Sequence, residues 1–130
     1  MIVADTHAWL WWISGNAALS SAAKEALVGA LDDGLLGVSA ISVWEAAMLV
    51  KKGRLELALG IDDLVRRCEA LPGFHFLPIT PHIALASAAL EPFHADPADR
   101  LIAATALAHR AALVTKDARL HALDGLVSLW

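Results

Sequence analysis

The feature that most constrains the fold of this chain is an alternation: short apolar runs recur between longer amphipathic stretches from one end to the other. Such runs suit strands buried on both faces, and the amphipathic stretches suit helices packed against them. Together they predict an α/β fold with a central parallel sheet of four or five short strands flanked by helices. Strands are expected at residues 2–4, 36–39, 74–77 and 113–115, with a less distinct one at 127–129. Helices are expected at 6–13, 21–31 (after the cap candidate Ser20), 42–52, 61–71, 81–90, 97–111 and 117–123. The 97–111 stretch is the clearest, with Asp96 as its cap and a proline in the first helical position. At 130 residues, with no repeat, linker or low-complexity tail, the chain reads as one domain, 1–130.

The opening MIVADTHAWLWWI is apolar enough to suggest a leader, but its first charge is an acid and no lysine or arginine precedes Lys24. The longest uncharged run, LPGFHFLPITPHIALASAAL, holds three prolines and two histidines, which suit a strand, a turn and a helix better than a membrane span. A soluble cytoplasmic protein without membrane contact is expected, and the single Cys68 fits a reducing compartment and a buried structural thiol. The apolar fraction of 58% is high for so small a chain, which points to some surface covered by a partner. A net charge of −4 argues against nonspecific coating of nucleic acid.

The acids fall at informative places. Asp5 follows the first strand, Glu45 falls in the first turn of the expected 42–52 helix, Asp99 in the first turn of the 97–111 helix, and Asp117 two residues past the fourth strand. Ligands of open α/β sheets bind outside the carboxyl ends of the strands, so four acids are expected at one sheet edge. Each alone has a structural explanation in capping and the helix dipole: SVWE has capping-box spacing, with Ser42 as the cap, and DPAD is its aspartate analogue. Together they suggest more, because carboxylates crowded among apolar residues such as Ile2, Val3, Trp9 and Leu10 need a compensating cation. Oxygen-rich clusters of this kind suit Mg2+ or Mn2+.

The segments VADTHAWLWW, SAISVWEAAMLVKKGRLEL, HADPADRLIAATAL and LVTKDARL, in that order, resemble the PIN-domain ribonucleases, in particular the VapC-like toxins of type II toxin–antitoxin systems. The likeness covers nearly the whole chain, and DPxDR with its downstream TxD is its most specific part. It implies that Asp5, Glu45, Asp99 and Asp117 bind the metal, and that Thr115 helps place a water or phosphate oxygen. Asp96 matches an extra acid, read first as a cap and second as an outer part of the site. Ala98 stands where relatives often carry an aromatic residue and Lys116 where arginine is frequent; neither is a metal-binding position. The implied activity is Mg2+- or Mn2+-dependent hydrolysis of RNA, with a small antitoxin blocking the cleft and a homodimer as the assembly. The four site carboxylates equal the whole formal charge of −4, so the remaining surface is about neutral.

Arg100, Lys116, Arg119 and Lys51 are the expected phosphate contacts; for Lys51 and Lys52 a solvated helix surface is the alternative, and for Arg100 pairing with Asp96 or Asp99. The six histidines lack zinc-site spacing, and His7 and His94 merely flank site acids. Trp9 and Trp12, with Ile13, read as a core stripe, and Trp11, on the other face, as an interface residue. A haloacid-dehalogenase-type phosphatase would need a second aspartate where His7 stands, and a receiver domain an acidic pair at the first strand. The remaining alternative is a catalytically silent PIN-like module that binds RNA or protein.

Overall fold

The computed structural model describes residues 1–91 and 96–130. Five parallel strands, β1 (Ile2–Ala4), β2 (Leu36–Ser39), β3 (Phe74–Leu77), β4 (Ala112–Val114) and β5 (Ser128–Leu129), form one sheet in the order β3-β2-β1-β4-β5. The first strand is therefore central: the chain winds outward to one side through β2 and β3, then crosses over to lay β4 on the other side of β1. Helices α1 (Thr6–Ser14), α2 (Ser21–Asp32), α3 (Ala40–Lys51), α4 (Ile61–Ala70), α5 (Pro81–Ala89), α6 (Pro97–Ala108) and the single turn α7 (Ala118–His121) flank the sheet. The predicted fold class is the one observed, and no helix among the described residues is long and apolar enough to cross a membrane.

Neighbouring strand residues enter opposite cores, as the two-residue period of a strand requires. Ala4 and Val114 join Trp9, Leu27, Val38 and Phe74 in one apolar cluster, while Val3 and Leu113 join Ile102, Ala106 and Leu120 in the other. Trp9 is fully buried and meets the Phe76 ring edge-on at 5.7 Å, with Trp12 half-buried against the same cluster; Ile13, expected in the same stripe, is exposed near the end of α1, and Cys68 is buried in the cluster. Gly73, at φ +87° before β3, is a position only glycine fills, because a Cβ would lie 2.2 Å from the Leu31 carbonyl oxygen.

Three boundaries differ from expectation by more than one residue, for local reasons. Helix α3 begins at Ala40, not residue 42, because Ser39, the last residue of β2, is its cap and accepts from the Ile41 N–H at 3.3 Å. Ser42 therefore lies inside the helix, and Glu45 sits in the second turn rather than the first; the capping-box reading of SVWE is incorrect. Helix α6 stops at Ala108 rather than 111, because Arg110 adopts φ +52° and the Ala111 N–H turns back to the Ala106 carbonyl at 2.9 Å. The last helix spans only Ala118–His121, with Asp117 as its cap.

Candidate active site

The order β3-β2-β1-β4-β5 puts the reversal of winding between β1 and β4, where a crevice opens at the carboxyl ends of an α/β sheet. Asp5 leaves β1 at that point. Its backbone N–H continues the ladder to the Val114 carbonyl at 3.0 Å, and its carboxylate caps α1 by accepting from the Ala8 N–H at 2.8 Å. The side chain is only 8% exposed, so the core sequence on either side holds it rigidly. Burial raises its pKa, opposed by hydrogen bonds from Thr115 and the Ala8 N–H.

Thr115, fully buried at the end of β4, links two of the acids. Its hydroxyl oxygen accepts from the Asp117 N–H at 3.1 Å, which leaves its single proton for Asp5. Asp117 caps α7 and is held by Arg119, which donates from Nε at 3.3 Å and from Nη2 at 3.2 Å to its two carboxylate oxygens.

Glu45 arrives from α3, facing the start of α1. The Thr6 hydroxyl donates to Glu45 Oε1 and lies 2.9 Å from the Ser42 hydroxyl. A carboxylate can only accept, so Thr6 gives its proton to Glu45 and is itself served by Ser42. Thr6 and Ser42 are both buried, and the pair fixes the half-buried carboxylate across the α1–α3 contact. Neither was expected to have this role, and the only signal in the sequence is two hydroxyls placed one and three residues from site acids.

Asp99 enters from the first turn of α6. Its pKa is pushed up to about 7, first by burial and then by the charges of Asp96, Glu45, Asp117 and Asp5. Glu45 is raised too, by burial first and then, against the Thr6 hydrogen bond, by Asp96 and Asp5. Asp5, Glu45 and Asp99 thus each have the ionised form disfavoured by burial and by the charge of other acids, an electrostatic setting suited to a cation.

Asp5, Glu45, Asp96, Asp99 and Asp117 line one cleft of about 200 Å³ together with Thr6, His7 and Arg119. All four predicted metal-binding acids come together there, Thr115 lies directly behind them, and Arg119 stands at the rim. The other expected phosphate contacts do not line the cleft. Arg100 donates to the Ser87, Ala88 and Leu90 carbonyls at 2.9–3.1 Å and so closes the C-terminal end of α5. Lys116 places its ammonium 5.9 Å from the centre of the Trp11 ring, and Lys51 is exposed in the last turn of α3. His94 lies outside the described residues.

The donor set fits a hard divalent cation: carboxylates only, mutually repelling, on a rigid sheet edge. Among the described residues no group of three or more histidine, cysteine, aspartate or glutamate side chains is already arranged to hold a metal ion.

The fold and cleft define an α/β protein with a carboxylate site at the switch point of a parallel sheet. The chain belongs to the PIN domain family, whose model matches residues 2–126. It is 37% identical over 132 residues to the ribonuclease VapC22 of Mycobacterium tuberculosis, with 99% of this chain and 98% of that one covered. Among solved structures it resembles a toxin–antitoxin complex from Klebsiella pneumoniae (TM-score 0.66, 25% identity, 98% and 96% of the two chains). The fold also matches VapBC2 from Rickettsia felis, solved with a promoter DNA fragment (TM-score 0.70, 17% identity, 99% and 98%).

Proposed function

We propose that this chain is a divalent-metal-dependent endoribonuclease and the toxin of a type II toxin–antitoxin pair. The observation that carries the reading is the convergence of Asp5, Glu45, Asp99 and Asp117 on one cleft in a PIN-family chain 37% identical to a ribonuclease. In it, these four carboxylates hold Mg2+ or Mn2+, and residues 1–130 act as one nuclease domain.

Each group then has a defined task. Asp5 and Asp117 approach from adjacent strands, kept in register by the Thr115 hydroxyl. Thr6 orients Glu45, so that its carboxylate lies across the cleft from the strand acids. Asp99, whose carboxyl pKa burial and the neighbouring acids push up to about 7 without a metal, is the acid that gains most from a bound cation, which would hold it ionised as a ligand. When bound, the ion supplies an acidified water and positive charge opposite the phosphate. Arg119 at the rim is the basic group best placed to meet a phosphate oxygen, at the expense of its contact with Asp117.

The resemblance to toxin–antitoxin complexes supports an antitoxin partner; action in the cytoplasm and assembly as a homodimer belong to the same proposal. The exposed Trp44 (57%) and Leu85 (74%) are apolar surface that such partners would cover. The test is cleavage of structured RNAs by purified, antitoxin-free protein with magnesium or manganese. The expected outcome is cleavage abolished by EDTA, by Asp5→Asn and by Asp99→Asn. Intact RNA under every metal condition would instead make the chain a silent PIN-like binding module.

A further inference from the structure

A second groove, about 450 Å³, adjoins the acid cleft, and His7 lines both. It runs along α1 past Leu10 and Trp11 to Asn16 and is closed by the loop after α3, which contributes Arg54 and Glu56. His7 and Trp11 are four residues apart and share a helix face, so Trp11 lies about 6 Å farther along the helix axis from the acids. The Trp130 ring packs against Trp11 at 5.9 Å and 65°, and the His7 ring at 5.6 Å, so the indole plane is fixed from two sides. Over its ring sits the Lys116 ammonium, on an exposed and flexible side chain. Among the described residues Glu56 is the one acid on the lining, beside Arg54; the exposed Lys51 and Lys52 precede Arg54 in the chain.

We propose that this groove binds unpaired nucleotides of the RNA substrate next to the scissile phosphate, with Trp11 as the stacking platform and Arg54 and Lys116 as phosphate contacts. The inference rests on the nuclease reading and adds a substrate path to it. An incoming base takes the place of Lys116 on the indole, and the displaced ammonium turns to the backbone phosphate beside that base. Aromatic surface joined to basic side chains is how single strands are held, since every base offers a ring face whatever its sequence. Asn16 adds an amide that can pair with a base edge. A paired helix keeps its bases stacked on one another and leaves the platform unused, so the groove selects unpaired RNA. Continuity with the acid cleft through His7 favours RNA over a protein segment as the occupant, because the scissile phosphate must lie in that cleft while its flanking bases reach beyond it.

The test measures binding without cleavage. In an Asp99→Asn background with magnesium present, the affinity for a fluorescein-labelled unpaired RNA 8-mer and for its fully paired duplex is read by fluorescence anisotropy. Trp11→Ala is expected to weaken single-strand binding about 5- to 50-fold, Trp11→Phe to retain most of it, and Arg54→Ala to weaken it several-fold, with duplex binding little changed. Arg54 is exposed, so its variant tests the groove even if Trp11→Ala folds poorly. Single-strand affinity within twofold of the parent in Trp11→Ala and Arg54→Ala would overturn the proposal and leave the groove to a protein partner; failure of the parent to bind the 8-mer would overturn it as well. The nuclease reading stands or falls separately, on whether the unmutated protein cuts RNA.

Discussion

The crowding of the cleft makes a quantitative prediction about Asp99. Its pKa rises from the ordinary 3.8 to about 7, an increase worth about 4 kcal/mol at 1.36 kcal/mol per pH unit. The side chain is only half-buried, and solvent screening reduces this to about 2 kcal/mol. Because the folded-state value lies above the unfolded one, folding favours the protonated acid. The metal-free protein is therefore penalised as the pH rises above 3.8, and the penalty is complete above about 7. Asparagine has the same shape without the charge. For a domain of this size, Asp99→Asn in EDTA at about pH 8 should melt about 6–10 °C above the unmutated protein, and the gap should close as the pH falls below 3.8. Magnesium should narrow the gap from the other direction by stabilising the unmutated protein at pH 8. Thermal melts followed by circular dichroism at several pH values give all of these numbers. The reasoning is refuted if Asp99→Asn melts at or below the unmutated protein in EDTA at pH 8, or if the difference persists in acid.

Two further predictions separate orientation from support. Thr6→Val keeps the side chain's shape but removes the hydroxyl that holds Glu45, and should lower magnesium affinity about 10- to 100-fold, as seen by the magnesium dependence of cleavage and by calorimetric titration. Arg100→Ala removes three hydrogen bonds at the end of α5, and should lower stability by about 2 kcal/mol in denaturant titrations while leaving magnesium affinity within about twofold.

The positions of Asp5, Asp99 and Asp117 were legible in the sequence because each sits beside an element boundary, marked for Asp99 by a proline and for the other two by the end of a short apolar strand. Glu45 was placed one turn too early, because Ser39 and Ser42 can each cap a helix and the choice depends on how far β2 runs. The pairing of Ser39 with Leu77 carries the strand up to Ser39 and makes that residue the cap. The Thr6–Ser42 pair was not legible, since it joins residues 36 apart across a helix crossing that local pattern does not reveal. Arg100 illustrates how nearness along the chain misleads. Successive helical residues are rotated by about 100°, so the neighbour of Asp99 points along a different side of α6 and reaches α5. Lys116 lies between Thr115 and Asp117, and alternation past a strand end sends it to Trp11 instead of the acids.

The central position of β1 has a consequence for the order in which the molecule becomes active. Asp5 is made more than a hundred positions before its ladder partner Val114 and its hydroxyl partner Thr115. A nascent chain has no complete carboxylate set until β4 slots in beside β1, whatever helices have formed meanwhile. Any product of premature termination before residue 112 lacks that strand, Thr115 and Asp117 together. Synthesis thus withholds the assembled carboxylate cleft until β4 has been made, however many helices have formed before it.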